Sequence, residues 1–401
     1  MICQSLCPRR HFSGFFLIAL LMVSATALAQ VNAVYVESNV GQVKGKNSIF
    51  AYSNDGTGKL TPITGSPFLT HGSGVFESNS VFSPGFQADQ EIVINSAGTL
   101  LFAVNGDSDA ITSFFINSDG SLLFLATASS NGQDPVSIGL DETGPAGPQM
   151  TVVNQADDPL QTGGIPNITS FLVNLASGVL TPVANSTITY ATGTLPSQAL
   201  VNPEGNFVFV LDSGLLFSYS VGSDGLLTQV NSEKTVRGKI FLGEAAHPKQ
   251  RAIYAGLPPV NQIGVYTYNT AGALAFAKDI VDPGSLLCWL TTDPAGTHLY
   301  TVESGTNTVT LYNIAGGNFL KPLQVQHFTL LPGGDATNVK LDPTGMFLYV
   351  LGLQPNTSTP GNYIHVLNVS SVDGSLTETL SPTLIPEHAG EVPMGLAVVM
   401  H

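Results

Sequence analysis

The residues of this chain that could do chemistry sit at the ends of short apolar runs, not inside a catalytic motif. Glu303 closes the run His298 to Val302, and Asp212 closes Phe207 to Leu211. Glu387-His388-Ala389-Gly390-Glu391 sets an imidazole between two acids, and Arg237-Gly238-Lys239 supplies two cations. A carboxylate or His388 could act as general base on a water. Arg237 could stabilise a developing oxyanion, and Lys239 could do the same or bind a ligand carboxylate. The candidate catalytic residues are therefore Glu303, Asp212, His388 and Arg237. Asn105, Asn154, Lys239, Asp335 and Glu391 are the candidate ligand contacts. The same residue types have a plainer use, because Asn and Asp at strand ends satisfy the backbone groups of turns.

Other chemistries lack their residues. His388 has no second histidine at zinc-binding spacing. Asn105-Gly106-Asp107-Ser108-Asp109 lacks the later Glu and the fixed spacing of a calcium loop, and with Asp157-Asp158-Pro159 it reads as a hairpin turn. There is no phosphate-binding glycine loop, no dinucleotide motif, no Gly-x-Ser-x-Gly elbow and no metalloprotease helix. No cofactor and no metal are expected.

The elements that must position these residues repeat. A Gly-x-Leu or Gly-x-Phe step begins at Gly58, Gly120, Gly178, Gly225, Gly272, Gly317 and Gly374, at spacings of 62, 58, 47, 47, 45 and 57 residues. Each follows a run at period two, such as Ile111 to Ile116 or Ile263 to Tyr268, which reads as a strand. Asp-Gly at several of these steps suits a tight hairpin. An earlier turn reads Asn202-Pro203-Glu204-Gly205, Asp293-Pro294-Ala295-Gly296 and Asp342-Pro343-Thr344-Gly345, where Pro presets φ and Gly takes the final bend. Each unit thus holds four short antiparallel strands, a to d. Seven units predict an all-β, seven-bladed propeller, since one such sheet cannot bury both faces alone. The ends complement one another. The chain opens on a b-type strand, Val34 to Val36, and closes on an a-type strand, Met394 to Val399, so the last strand completes the first blade. A pair of all-β sandwiches gives no reason for such ends. In this frame the third position after the b-strand aromatic site holds Ser38, Asn105, Asn154, Asp212, Leu257, Glu303 and Gly352. The d–a loops add Asp89, Glu91, Asp134, Arg237, Lys239, Asp335 and the 387–391 group.

Arg9-Arg10, the uncharged run Phe15 to Ala29 and the small residues Ala27 and Ala29 read as a signal peptide over residues 1–29, with one propeller domain over 31–401. The chain is expected outside the cytoplasm, periplasmic or secreted, and free of the membrane once cleaved. Cleavage leaves Cys288 as the sole cysteine, flanked by Leu287 and Trp289, so no internal disulfide forms and the thiol is expected to pack. The net charge of −15 becomes −17 without Arg9 and Arg10, which disfavours nucleic acid and anionic membrane as partners. A monomer acting on a small molecule or an extracytoplasmic partner is expected.

Gly65-Ser66-Pro67-Phe68 after Leu60-Thr61-Pro62, the Asp-Pro-x-Gly turns leading into Leu-Tyr-Val strands, and the strand ends resemble the lactonase-type seven-bladed propellers, a group that includes 6-phosphogluconolactonases and YVTN repeat proteins. The resemblance covers residues 31–401. It implies hydrolysis of a small lactone or related ester at the mouth of the central channel. The chain departs from the lactonases in lacking their Gly-Pro-Arg-His step: after the leader only Arg237 and Arg251 remain, and neither precedes a His. An exported protein is also poorly placed to meet phosphorylated sugar lactones. The alternative expectation is a non-catalytic propeller that binds a glycan, peptide or protein partner.

Overall fold

The computed structural model describes Met1 and residues 32–41, 43–75, 88–235, 242–353, 361–386 and 392–400. The chain divides into two compact units, Met1–Gln30 and Val31–His401. The expected signal peptide lies in the first, outside the described residues apart from Met1. Among the described residues no helix is long and apolar enough to cross a membrane, and the only helical pieces are 3-10 turns at Pro258–Val260 and Gly316–Leu320.

The second unit forms seven antiparallel sheets, blades 1 to 7, spanning residues 32–69 with 394–400, then 92–129, 135–189, 196–234, 244–281, 287–329 and 335–385. Blade 6 shows the plan: strand a Leu287–Thr292, b His298–Glu303, c Thr308–Asn313 and d Leu323–Thr329. In blades 1, 3 and 7 the outermost strand comes in two short pieces, both paired with strand c. Closure follows the complementary ends. Met394–Met400 pairs with Asn32–Glu37 in blade 1, with Val34 opposite Val398 and Val36 opposite Leu396. Strand b is buried along its whole length in every blade but blade 6, where only its first residue is partly exposed, whereas strand d is largely exposed. This gradient matches the continuous apolar b runs of the sequence.

Neighbouring blades are tied by a recurring hydrogen bond. A side chain of one blade reaches a carbonyl at the c–d turn of the next: Tyr35 Oη to Gly120 (2.8 Å), Gln149 Nε2 to Gly225 (3.1 Å), Ser218 Oγ to Gly272 (2.7 Å), Tyr254 Oη to Phe319 (3.0 Å) and Tyr300 Oη to Gly374 (3.2 Å). Across the closing junction Asn54 Nδ2 donates to Tyr349 Oη at 2.7 Å. The turn glycine matters here. At Gly374, with φ +74°, a Cβ would lie 2.8 Å from the ring of His298.

Candidate active site in the axial channel

Strand a of each blade is innermost, and pairing with strand b fixes its register. One column across the seven blades reads Leu396, Ile92, Ile138, Ala199, Glu244, Leu290 and Val339. Six are aliphatic, and the remaining one is a carboxylate. A column on strand b, set by its pairing with strand c, reads Glu37, Val104, Val153, Leu211, Gly256, Val302 and Leu351. Here Glu37 alone is polar. Both glutamates are buried. A buried carboxylate in an otherwise apolar column is costly, so each marks a position where the repeat serves something other than packing.

Ala88–Glu91, leading into blade 2, fills the axis between them. Ala88 O accepts from Trp289 Nε1 of blade 6 (2.9 Å). Asp89 N donates to Ser197 O of blade 4 (3.3 Å), and Gln90 O accepts from Ile138 N of blade 3 (3.0 Å). Gln198 Nε2 reaches Gln90 Oε1 at 2.7 Å. From blade 7, Asn338 Nδ2 lies 3.3 Å from Asp89 Oδ1 and 3.5 Å from Glu91 Oε2, and Lys340 Nζ lies 3.6 Å from Asp89 Oδ1. This short segment therefore bonds to four other blades and brings Asp89 and Glu91 beside Glu37 and Glu244.

The four acids share little donor capacity. Glu37 Oε1 accepts from Asn47 Nδ2 at 2.6 Å, but Glu37 Oε2, Glu91 Oε1 and both oxygens of Glu244 are buried without a hydrogen-bond partner. Burial, then the charge of Asp89, pushes the Glu91 carboxyl up to about 8, with Lys340 and Asn338 acting against that rise. Burial also pushes Glu37 well above the ordinary range, opposed by the Asn47 hydrogen bond and reinforced by Glu91. Burial and Asp89 push Glu244 up in the same way. Glu37 and Glu91 line a cavity of about 10 Å³ together with Asn39, Val75, Val104 and Met394, a space that admits about one water.

Among the described residues singled out in the sequence, Asn105 adjoins this group through Asn47 Nδ2, which donates to both Glu37 Oε1 and Asn105 Oδ1. His388, Arg237, Lys239 and Glu391 lie outside the described residues. Glu303 ends strand b of blade 6 inside a closed network. Thr301 Oγ1 lies 2.5 Å from its Oε1, and Thr308 Oγ1 and Thr310 Oγ1 donate to its Oε2 at 2.7 and 3.2 Å. Asp282 adjoins it and accepts from Tyr312 Oη (2.7 Å), Gly284 N (2.8 Å) and Thr301 Oγ1 (3.2 Å). Burial raises both carboxyls, and the charge of Asp282 raises Glu303 further. Gly284 covers Glu303 so closely that a Cβ there would lie 2.5 Å from Glu303 Cγ. Asn105 is held between Thr70 Oγ1, Asn47 Nδ2 and Thr112 Oγ1. Asn154 Nδ2 donates to Asn167 Oδ1 at 3.0 Å. Asp212 is raised by burial against hydrogen bonds from Thr194 and Ser213, and its Oδ1 is buried and unpartnered. Asp335 is half-buried at the start of strand a in blade 7 and is likewise raised by burial. Cys288 is packed as expected, its thiol pushed up to about 12 by burial. Among the described residues no three His, Cys, Asp or Glu side chains are grouped to hold a metal ion.

Glu91 is legible in the sequence as a loop acid, whereas Glu37 and Glu244 do not stand out in it. Aligning the seven units column by column is the signal that finds them.

No family model matches the chain and no curated protein resembles it in sequence. Solved structures do match. A candidate 6-phosphogluconolactonase of Bacteroides fragilis superposes with TM-score 0.69 at 15% identity, covering 94% of this chain and 99% of its own. Another, of Bacteroides uniformis, gives 0.69 at 16%, with 92% and 99% covered. The periplasmic gluconolactonase of Pseudomonas aeruginosa gives 0.70 at 16%, also with 92% and 99% covered. Over nearly its whole length the chain therefore has the fold of the lactonase-type seven-bladed propellers.

Proposed function

We propose that the protein hydrolyses an uncharged lactone at the axial carboxylates, outside the cytoplasm. The observation that carries this reading is the water-sized cavity between Glu37 and Glu91, each with an oxygen left without a partner. A base works best when its pKa lies near the working pH, and Glu91 is raised to about 8. In its ionised form Glu91 takes a proton from the water, whose oxygen adds to the lactone carbonyl. Glu37, held protonated by burial, is a donor for the carbonyl oxygen, as a neutral carboxylic acid can be in an apolar site. The ring C–O bond then breaks, and the leaving oxygen recovers the proton from Glu91.

Among the described residues the cation at these acids is Lys340, and it is already paired with Asp89, so a phosphorylated or otherwise anionic substrate would find no free counter-charge there. The likeness to a periplasmic gluconolactonase supports an unphosphorylated aldonolactone, and the charged-then-apolar leader supports export.

Purified protein in a pH-stat, with spontaneous hydrolysis subtracted, tests the reading. Glucono-δ-lactone should turn over, its 6-phosphate should not, and Glu91→Gln should abolish the difference from the blank. Absence of turnover on every uncharged sugar or aliphatic lactone overturns it and leaves a binding propeller.

A further inference from the structure

A cavity of about 430 Å³ lies away from the axis, on the opposite face, between blades 6 and 7. That is within the range of sites for small molecules. Two a–b turns form its sides, Asp293–Gly296 and Asp342–Gly345, and the c–d turn at Gly374 bounds it.

Its chemistry is set by a break in the repeat. The first shared position of strand b reads Ala33, Leu100, Gln149, Phe207, Ala252, His298 and Phe347. Blades 4 and 7 place a phenylalanine against the turn glycine of the next blade, at Gly272 and Gly58. Blade 6 places His298 there, the one titratable side chain of the column. Its ring is oriented from behind, with Nδ1 3.2 Å from Asp293 Oδ2 and 3.1 Å from Thr297 Oγ1. Asp293 is itself fixed, accepting from Thr297 N (2.7 Å), His298 N (2.9 Å) and Thr297 Oγ1 (2.5 Å). A carboxylate so placed holds the proton on Nδ1 and leaves Nε2 as the ring's working nitrogen.

The walls decide what fits. Pro294, Pro343 and Met346 give flat apolar surface, while Thr297, His298 and Ser370 give hydroxyl and imidazole groups. No Lys or Arg lines the cavity, so an anion would find no counter-charge. Asp293 and Asp342 are consumed by their own turns, and Asp342 also accepts from Asn32 Nδ2 at 3.0 Å, so an ammonium group would find no free carboxylate. We propose that this cavity binds a neutral, hydroxyl-rich ring, a sugar residue, with His298 Nε2 as its central polar contact. The site is separate from the axial carboxylates and stands whether or not these are catalytic.

The test uses protein with isotope-labelled histidines and a panel of free glucose, N-acetylglucosamine, maltose and cellobiose. The His298 imidazole signal is assigned by its loss in His298→Gln. At least one sugar should shift that signal saturably. Calorimetry should show binding weakened at least tenfold by His298→Gln and by Ser371→Trp, a change at an exposed residue of the cavity wall that does not touch the His298 network. Glu91→Gln should leave the sugar affinity unchanged. The proposal is overturned if no sugar moves the His298 signal, if Ser371→Trp binds as well as the parent, or if Glu91→Gln removes the binding.

Discussion

In blade 6, Asp282 and Glu303 are surrounded by hydroxyls, whereas at the axis Glu37, Glu91 and Glu244 are surrounded by other acids and by apolar strands. The two groups are equally deep. Three threonine hydroxyls, a tyrosine hydroxyl and a backbone N–H serve the blade 6 pair. At the axis, four carboxylate oxygens have no partner. A buried polar network with every member satisfied stiffens a fold, while unsatisfied members cost stability. The blade 6 pair therefore reads as structure. The axial group gives up stability, and the repeat itself shows that an aliphatic residue fits two of its positions. Burial and raised pKa, which the two groups share, thus fail to separate scaffold from site; hydrogen-bond satisfaction separates them.

The sharpest way to break this contrast is to remove one acid from each group. Glu91→Gln should lower kcat/KM for glucono-δ-lactone by about 10²–10⁴-fold, the usual contribution of a general base, with no loss of stability. Steady-state kinetics and urea unfolding of the same preparation check both halves. If Glu91→Gln turns over normally, the axial acids are not the site.

Glu303→Ala should do the reverse. It removes the acceptor shared by Thr301, Thr308 and Thr310 and leaves a void beside the buried Asp282, so the loss should be about 3 kcal/mol in urea unfolding. Turnover per folded molecule should be unchanged. A stable Glu303→Ala protein that has lost turnover would reverse the assignment of the two groups.

The pH dependence of stability sharpens the comparison further. Glu37, Glu91 and Glu244 all titrate higher in the folded chain than the 4.5 of a free glutamate. The folded protein therefore keeps protons that the unfolded chain releases above about 4.5. Their contribution is fully present below that pH and is lost as pH rises through the folded-state values, which for Glu91 is about 8. Urea midpoints should fall between pH 5 and 8, and Glu244→Gln should recover stability at pH 8. The blade 6 pair has the same sign but donors for its charged form, so Glu303→Gln should recover less. Equal recovery in the two variants would mean that the hydroxyls of blade 6 do not distinguish it.

The sequence made the fold legible because the propeller is built from local rules. Asx-Pro-x-Gly turns, period-two runs and complementary ends each state a strand or its partner, and Val34 pairs with Val398 as those ends require. The site was less legible, for a physical reason. Asn105 and Glu303 occupy a position where polar residues recur, and recurrence reflects a shared structural need: Asn105 binds Thr112 as Glu303 binds Thr310. Glu37 and Glu244 are exceptions within apolar columns, and an exception appears only once the register of each strand is known. Asp89 and Glu91 needed the path of their loop across the axis, which no local pattern encodes.

The smallest expected effect concerns the ties between blades. Tyr300→Phe removes only the hydroxyl that donates to Gly374 O and leaves the ring packed, so the loss should be about 1 kcal/mol. Blades 2 and 3 already show the alternative. There the matching position is Phe102, Gly178 rests against Ser113, and among the described residues no side chain donates to the Gly178 turn. Phe102→Tyr should therefore bring no gain, because Ser113 already occupies the space against Gly178, and urea unfolding should show a loss of about the same size. If Phe102→Tyr instead stabilises the protein, the junction can close on the turn as its neighbours do. The tie would then follow from the repeat geometry at every junction, and the axial exceptions would stand out against a fully regular ring.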